Sequence, residues 1–475
     1  MRKTKIICTI GPASSPEKIL TKMCEAGMNV ARLNFSHGDH EEQLGKIKTI
    51  KKVREKLGLP IAIMLDTKGP EYRIGTFKDH KAKLEEGQEF TFTVDDIVGD
   101  NTKVSVNYKG FADELKVGDT VLVNNGLVVC EVTKVKGHDV ITKVKAGGEL
   151  CDKKSMNFPG KLLKGAFLSE QDKKDLLFGI ENDIDFVAAS FVSTKEDAME
   201  MRKFLDDNGG KDIDIIAKIE NRAGVNNIEE IAQIVDGIMV ARGDLGVEIP
   251  FMEVPAVQKD IVQKCRLLGK RVIIATEMLE SMITNVRPTR AEISDVANAV
   301  YDGASAIMLS GESAQGKYPV EAVRTMSEVA EYTEEHINYQ KRFKNMDFTI
   351  KNNLDAISHS TCSMAIDVNA KCIVVSSMSG LTARMVSRFR CPVQILGMTT
   401  SVKAYRKLAL SWGVTPVLCE EFESLDVLFF HAMQQATKLF NLDMGDNVVL
   451  TGGQIGGAPG RTNLIKVETI HKLYN

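Results

Sequence analysis

Apolar residues in the first three quarters of the chain fall into short, nearly uninterrupted runs rich in β-branched side chains. Each run has the length of a strand, and the lack of polar alternation is typical of a parallel strand buried on both faces. The runs span residues 4–10, 28–33, 61–65, 185–189, 214–219, 237–241, 271–275 and 304–309. Amphipathic helical stretches separate most of them, as at 17–26, 228–235 and 254–268. Eight strand–helix units predict an α/β fold of the (β/α)8 TIM barrel type.

A long insertion interrupts this rhythm between Asp66 and Asp185. Its apolar stretches at 90–94, 120–123 and 127–130 alternate or are short, and Gly and Asp turns separate them. This pattern is typical of antiparallel strands. It predicts an inserted all-β domain, a small β-barrel over residues 70–164, which leaves residues 1–69 and 165–345 for the large barrel.

A third pattern begins at about residue 346 and continues to residue 475. Strands are predicted at 372–376, 393–398, 414–419, 448–451 and 464–467. Helices are predicted between them at 354–366, 382–389 and 425–439. Alternating strands and helices indicate a C-terminal domain with an open, doubly wound α/β sheet.

Composition narrows the class of protein. The 475 residues are 43% hydrophobic and 26% charged, as in soluble proteins of two or three domains. The net charge of −3 provides no field that attracts nucleic acid or a membrane surface, so local basic residues must bind any anionic ligand. The nine cysteines form no CxxC pair, which favours reduced thiols and a cytoplasmic location. We expect no signal peptide and no membrane span.

Polar residues cluster just past the predicted barrel strands. In such barrels the carboxyl ends of the strands form the active site. Cations, carboxylates and hydroxyl groups, together with one amide and one glycine, lie at the ends of six of the eight strands. These residues are Arg32, Asn34, Ser36, Asp66, Thr67, Arg73, Lys218, Glu220, Arg242, Gly243, Asp244, Thr276, Glu277, Ser310 and Glu312. A purely structural rim has no need for this mixture.

Phosphoryl transfer does need it, because the migrating group carries charge on its oxygens and cations must surround it. Arg32 and Arg73 offer forked donors to phosphate, and Lys218 offers a point charge. Glu220 and Asp244 are hard oxygen ligands suited to Mg²⁺.

Each of these residues also has a structural explanation when taken alone. Lys218 and Glu220 lie two apart on a strand, where they could form only a salt bridge. Asp244 could hold a turn, and Thr276 could cap the following helix. The combination across six strand ends favours an active site.

Seven segments, in this order along essentially the whole chain, resemble the motifs of the pyruvate kinase family. They are CTIGP (8–12), RLNFSHG (32–38), LDTKGPE (65–71), AKIEN (217–221), ARGDLGVEIP (241–250), PTRAE (288–292) and MLSGE (308–312). The resemblance implies an enzyme that transfers the phosphoryl group of phosphoenolpyruvate to ADP, giving pyruvate and ATP at the end of glycolysis.

The resemblance also implies the catalytic residues: Lys218, Arg32 and Thr276. Lys218 would stabilise the migrating phosphoryl group and the enolate, and Arg32 would contact the substrate phosphate. Glu220 and Asp244 would hold Mg²⁺ or Mn²⁺. Gly243, Asp244 and Thr276 would position the pyruvate carboxylate.

The nucleotide and a monovalent cation complete the implied set of ligands. Arg73 and Lys154 would contact the nucleotide phosphates, and the inserted domain would be a lid that closes over them. Asn34, Ser36, Asp66 and Thr67 would bind K⁺. Relatives without a K⁺ requirement tend to carry Lys where this chain has Glu71, although Glu71 could merely pair with Arg73. The family usually forms homotetramers.

A possible effector loop lies in the C-terminal domain. Ser377, Ser379, Gly380 and Thr382 connect a predicted strand to a helix, where hydroxyl groups and free helix N–H groups can bind phosphate. An ordinary capped helix is the alternative. Similarity to the family's sugar-phosphate loop favours a phosphorylated allosteric effector, with residues 452–460 as the second wall of the pocket.

Three residues depart from the family pattern, and two other functions compete. Asn124 and Asn125 stand where many relatives have an Asp pair, and Glu277 replaces a common Gln. A metal-dependent aldolase or lyase acting on a pyruvate-type substrate would explain Glu220 and Asp244, but neither Arg73 nor the inserted domain. A catalytically inactive sugar-phosphate sensor would require the loss of an active-site residue.

Overall fold

Eight parallel strands close into a barrel in the computed structural model, which describes residues 1–453 and 462–474. The barrel strands are Lys5–Thr9, Val30–Asn34, Ala62–Asp66, Phe186–Ala189, Asp214–Ile219, Gly237–Ala241, Arg271–Ala275 and Ala306–Leu309. Each strand pairs with its neighbours in chain order, and the eighth pairs with the first. The predicted TIM barrel is confirmed.

Both faces of the barrel strands are buried, which explains their uninterrupted apolar sequences. On the seventh strand, Ile273 packs inside the barrel with residues such as Met239. Its neighbours Val272 and Ile274 point the other way, into the layer between strands and helices. Side chains alternate across a strand, so a strand covered on both faces needs apolar residues at every position.

Helices surround the barrel. The main ones are Glu17–Ala26, His40–Leu57, Glu170–Glu181, Lys195–Asp207, Ile228–Ile234, Val254–Leu268, Arg290–Asp302 and Pro319–Glu335. Two of them, at 17–26 and 254–268, begin and end at the predicted residues. Three begin with a capping box, in which a Ser or Thr and a carboxylate three residues later each accept a backbone N–H.

The insertion after the third barrel strand is mostly sheet. Six strands pair in one sheet: Met156–Asn157, Thr120–Val123, Val128–Lys136, Asp139–Ala146, Glu89–Thr93 and Lys103–Ser105. Lys81–Leu84 and Gly148–Cys151 form a second sheet of two strands. The mostly-sheet insertion departs from the predicted all-β barrel in two ways: its strands form these two separate sheets, and Phe111–Glu114 makes a single helical turn. The boundaries at residues 70 and 164 stay a prediction.

The C-terminal domain is a five-stranded open sheet. Its order is Val414–Leu418, Gln394–Thr399, Cys372–Ser376, Asn447–Gly453 and Thr462–Thr469, with only the last strand antiparallel. Asn353–Asp367 and Leu381–Ser387 pack on one face, and Leu425–Phe440 packs on the other. The doubly wound arrangement is therefore confirmed.

This domain is attached to the end of the barrel where its strands begin. Arg406 Nε donates to Asp185 Oδ1 at 2.7 Å, and Lys407 Nζ donates to Asp214 Oδ1 at 2.7 Å. Both aspartates stand at the amino ends of barrel strands, so the C-terminal domain lies opposite the barrel mouth. Within the described ranges, no helix combines the length and hydropathy that a bilayer span requires.

Candidate active site

Lys218 lies at the centre of the barrel mouth, buried at the end of the fifth strand. Its Nζ lies 3.1 Å from Asp66 Oδ1, 2.8 Å from Ser190 Oγ and 3.0 Å from Glu220 Oε1. Three strand ends therefore hold one ammonium group in a fixed position. Such an ammonium can donate to an anion with little reorganisation.

Arg32, from the second strand, shares Asp66 with Lys218. Its Nε donates to Asp66 Oδ2 at 2.6 Å, and its Nη1 donates to Thr9 Oγ1 at 2.8 Å. The pKa of Asp66 lies below its ordinary value, because Arg32 and Lys218 outweigh the opposing effect of burial. Asp66 thus holds the Arg32 and Lys218 cations side by side. Three residues that the sequence predicted for the site, from three different strands, are therefore in contact.

Burial and charge set the protonation of Lys218. Burial alone would lower the pKa of its ammonium, but the Asp66 and Glu220 carboxylates raise it well above the ordinary value. The side chain therefore stays charged across the physiological pH range, although it has little contact with water. A phosphoryl group would meet this charge in a site of low dielectric.

Glu220 has the environment of a metal ligand. Its Oε2 accepts the Phe191 N–H at 2.6 Å, while its buried Oε1 accepts no well-aligned hydrogen bond despite the nearby Lys218. Burial raises the pKa of Glu220 to about 7, and the neighbouring Asp244 carboxylate contributes to the rise. Glu220 and Asp244 are thus two carboxylates close enough to interact, and only the Lys218 ammonium lies near Glu220 Oε1, which suits a divalent cation.

Thr276 joins the sixth and seventh strand ends. Its Oγ1 accepts the Gly243 N–H at 2.8 Å and donates to the Ala275 carbonyl at 2.6 Å. Its φ of 67° is unusual for a β-branched residue, and Glu277 follows with a φ of 56°. Thr276 caps no helix, so that alternative is wrong; strain of this kind is often held at functional sites.

Arg242 holds this strained segment in place. Its Nη2 donates to the Thr276 carbonyl at 2.7 Å and to the Glu277 carbonyl at 3.2 Å. Its Nη1 donates to Asp295 Oδ1 at 2.8 Å. Arg242 is thus engaged in positioning backbone, whereas Glu277 is exposed and projects its charge at the mouth.

A cleft of about 350 Å³ separates the barrel mouth from the inserted domain. Arg73, Lys154, Asn124 and Asn125 line one side, and Asp244 lines the other. Arg73 and Lys154, predicted to hold the nucleotide, and Asp244, predicted to hold the metal, therefore line the same space.

Arg73 is engaged within the cleft. Its Nη1 donates to the Lys153 carbonyl at 2.6 Å, and its Nη2 contacts the Glu71 carboxylate. Lys68 Nζ lies 3.5 Å from the other Glu71 oxygen. The pairing weighed as an alternative for Glu71 is therefore present.

Asn124 and Asn125 form the tip of a lid hairpin. Their φ angles are 56° and 55°, in the left-handed region that Asn tolerates better than most residues. The Leu127 N–H closes the turn on the Asn124 carbonyl at 3.2 Å. The chain geometry thus accounts for both asparagines without a catalytic role.

The residues predicted to hold K⁺ gather beside Arg32. Asn34 and Asp66 are partners in the register of the second and third strands. Asn34 Oδ1 accepts the Ser36 N–H at 3.0 Å, and Thr67 Oγ1 accepts the Ser190 N–H at 3.1 Å. The set is rich in hard oxygens, although Asp66 is already engaged with two cations.

The predicted effector loop connects a strand to the helix Leu381–Ser387. Gly380, with a φ of 77°, precedes the helix and has no side chain that could cap it. Ser379 is exposed, whereas Thr382 is buried with its Oγ1 at 2.5 Å from Thr462 Oγ1. Ser379 Oγ does accept the Leu381 N–H at the helix start, at 3.4 Å, so the structure is compatible with the capped-helix alternative as well as with the effector site. The proposed second wall, 452–460, falls mostly outside the described residues.

The fourth strand end supplies site residues that the sequence reasoning missed. Ser190 binds both Lys218 and Asp66, and Phe191, with a φ of 57°, donates its N–H to Glu220. Thr9, at the end of the first strand, binds Arg32. All eight strands end at one mouth, so a polar residue directly after residues 185–189 was the available signal.

Comparisons with known proteins agree with this geometry. Two family models match: "Pyruvate kinase, barrel domain" over residues 1–323 and "Pyruvate kinase, alpha/beta domain" over residues 355–468. The chain is 47% identical to the pyruvate kinase of Clostridium acetobutylicum, over 99% of this chain and all of the relative. It is also 47% identical to that of Bacillus licheniformis, over 99% of this chain and 81% of the relative. The crystal structure of a pyruvate kinase from Cryptosporidium parvum superposes with a TM-score of 0.95 at 36% identity, covering 98% and 96% of the two chains.

Proposed function

The chain belongs to the pyruvate kinase family, and from that premise we propose which of its residues carry the reaction. The enzyme transfers the phosphoryl group of phosphoenolpyruvate to ADP, forming pyruvate and ATP in glycolysis. The observation that carries the proposed assignment is the buried Lys218 ammonium, which three acceptors hold at the barrel mouth. The first experiment measures the formation of pyruvate from phosphoenolpyruvate and ADP in a coupled assay. Absence of pyruvate would contradict the proposed assignment.

Lys218 and Arg32 act on the migrating phosphoryl group. In this mechanism Lys218 donates to its oxygens as their charge rises, and Arg32 orients the phosphate of phosphoenolpyruvate. Asp66 holds both cations, so neither has to reorganise when the substrate binds. Lys218 also faces the enolate oxygen left after transfer.

Glu220 and Asp244 would hold the divalent cation that the family requires. When bound, Mg²⁺ or Mn²⁺ would neutralise charge on the phosphate and carboxylate oxygens. Gly243 and Thr276 position the substrate carboxylate beside them. The enolate carbon is then protonated through a water or hydroxyl group near Thr276.

The lid supplies the remaining cations. Arg73 and Lys154 line the cleft at its nucleotide side, and closure brings them onto the ADP phosphates and excludes water. Arg73 is paired with the Glu71 carboxylate in this structure. When nucleotide binds, the Arg73 guanidinium leaves this carboxylate and binds a phosphate instead.

We expect Glu220→Gln to weaken Mn²⁺ binding about tenfold, because a charged oxygen leaves the metal site. ADP affinity measured without metal should change little. Electron paramagnetic resonance of free Mn²⁺ measures the first quantity, and equilibrium dialysis measures the second. Glu248→Gln is a matched control, since that buried carboxylate lines the same cleft but binds Asn157 and the Phe158 N–H. Equal Mn²⁺ affinity in Glu220→Gln and the wild type would remove Glu220 from the metal site.

The Ser377–Thr382 loop is proposed to bind a phosphorylated effector. Ser379→Glu is expected to abolish activation by a sugar phosphate, because a fixed anion repels the phosphate, and to leave unstimulated activity intact. Thr382→Glu should do the same but places its charge in a buried position, so its melting temperature must be checked. Ser379→Ala serves as the neutral control. Full activation of Ser379→Glu would contradict the site.

Quaternary structure and location are proposals as well. Phe251, Met252 and Val286 are large, exposed apolar side chains on the barrel, and Phe430 is exposed on the C-terminal domain. Apolar surface on both domains supports two kinds of subunit contact and thus a homotetramer. Free cysteines throughout the chain support a cytoplasmic location.

A further inference from the structure

A cavity of about 550 Å³ lies on the outside of the barrel, away from both the mouth and the effector loop. Its walls come from the carboxyl-terminal half of the helix Val254–Leu268, from the end of Arg290–Asp302, and from the segment Tyr339–Lys344 with the residues that follow it. That last segment carries the chain from the barrel to the C-terminal domain.

The lining is basic overall, because its four cations, Lys259, Arg266, Lys341 and Arg342, outnumber its two carboxylates, Asp302 and Asp347. Lys259 pairs with Asp302. Arg266, Lys341 and Arg342 also line the cavity, and no carboxylate of the described residues lies within ion-pair distance of them. An excess of positive charge remains that the protein itself does not neutralise.

Each of the two guanidinium groups also has one nitrogen without an acceptor, although Arg342 Nη2 donates to the Tyr301 carbonyl at 2.6 Å. Arg266 Nε and Arg342 Nη1 are both buried without a hydrogen-bond partner among the described residues. Burial and, to a smaller extent, the nearby Arg342 cation lower the pKa of Arg266 to about 10. Buried donors without acceptors are costly, and an anion with several oxygens would satisfy them.

We propose that this cavity binds the phosphate group of a small phosphorylated metabolite through Arg266 and Arg342. Its volume exceeds that of one phosphate ion and falls in the range of small-molecule sites. Leu267 and Met346 also line it and offer apolar surface for the organic part of the ligand. The site is separate from the Ser377–Thr382 loop.

A chain of hydrogen bonds leads from the cavity to the barrel mouth. Asp302 accepts from Gln258 Nε2 at 3.1 Å, and Gln258 Oε1 accepts from Arg242 Nη1 at 3.5 Å. Arg242 in turn holds the Thr276 carbonyl. A ligand that draws Lys259 from Asp302 would alter this chain, so binding is linked to the position of Thr276 and to the KM for phosphoenolpyruvate. This coupling rests on the proposed role of Thr276, whereas the binding site does not.

Calorimetric titration of the full-length protein tests the site with inorganic phosphate, a hexose monophosphate and adenosine 5′-monophosphate as probes. We expect saturable binding of at least one probe, and Arg266→Gln and Arg342→Gln should each weaken it about tenfold or more. Lys341→Gln should weaken it less, and because Lys341 is exposed its replacement keeps the fold intact. Arg324→Gln removes an exposed, unpaired arginine elsewhere and should bind like the wild type.

Ser379→Glu separates the two sites, because it should leave this binding intact. The proposal is overturned if none of the three probes shows saturable binding. It is also overturned if the wild type binds the probes no better than Arg266→Gln, Arg342→Gln and Lys341→Gln. For the coupling, the bound probe should shift the KM for phosphoenolpyruvate in the wild type, and Gln258→Leu should bind it without that shift. An unshifted KM in the wild type overturns the coupling while the binding result stands.

Discussion

Replacing Lys218 with methionine is expected to lower turnover about a thousandfold while phosphoenolpyruvate affinity changes little. Methionine keeps the length of the side chain but removes the only lysine ammonium that Asp66, Ser190 and Glu220 hold at the barrel mouth of the described structure. The charge matters most when the phosphoryl oxygens and the enolate carry their greatest charge, so the loss falls on kcat. Arg32 remains to bind the substrate phosphate.

Steady-state kinetics measure this effect, and circular dichroism checks the fold. The fold needs checking because the substitution leaves two buried carboxylates, Asp66 and Glu220, without their shared cation. Lys270→Met is a matched control: Lys270 lies at the opposite end of the barrel, where its Nζ donates only to the Val235 carbonyl at 2.7 Å. A folded Lys218→Met enzyme that keeps a tenth of wild-type turnover would rule out the assigned role.

Sequence pattern predicted the barrel well because its signal is local and repeated. Each strand is apolar throughout since both of its faces are buried, as Ile273 and Ile274 illustrate. Strand ends then follow from counting along the chain, which placed Lys218, Glu220 and Asp244 at one mouth. The single helical turn at Phe111–Glu114 was too short to leave a periodic signal.

The details of the site depend on contacts between residues far apart in sequence, which pattern does not encode. Asp66 was predicted as a K⁺ ligand, yet it also holds Arg32 and Lys218 from two other strands. Ser190 lies after the fourth strand without a charge to mark it, and it was missed. Thr276 was weighed as a helix cap, because neither its left-handed backbone nor its hydrogen bonds with Arg242 and Gly243 across the mouth leave a signal in the sequence.

Omitting K⁺ is expected to lower turnover about a hundredfold, with Na⁺ restoring little of it. Asn34, Ser36, Asp66 and Thr67 are the proposed ligands, and a cation there adds positive charge beside the phosphate that Arg32 orients. Na⁺ is smaller and fits the same oxygens poorly. Turnover in tetramethylammonium buffer, with KCl added at constant ionic strength, measures the requirement. Full activity without K⁺ would contradict the site.

Glu71→Lys should remove most of this requirement, because a tethered ammonium replaces the diffusible cation electrostatically. The same change breaks the contacts of Glu71 with Arg73 and Lys68 and so frees Arg73 for the nucleotide. A change in ADP affinity alone would therefore not distinguish the added cation from the release of Arg73. Glu71→Gln separates the two effects: it also frees Arg73 but supplies no cation. If charge substitution is the mechanism, Glu71→Gln stays dependent on K⁺ and Glu71→Lys does not. If both variants lose the dependence, the pairing of Glu71 with Arg73 controls the lid, and the cation acts only by competing with that pair.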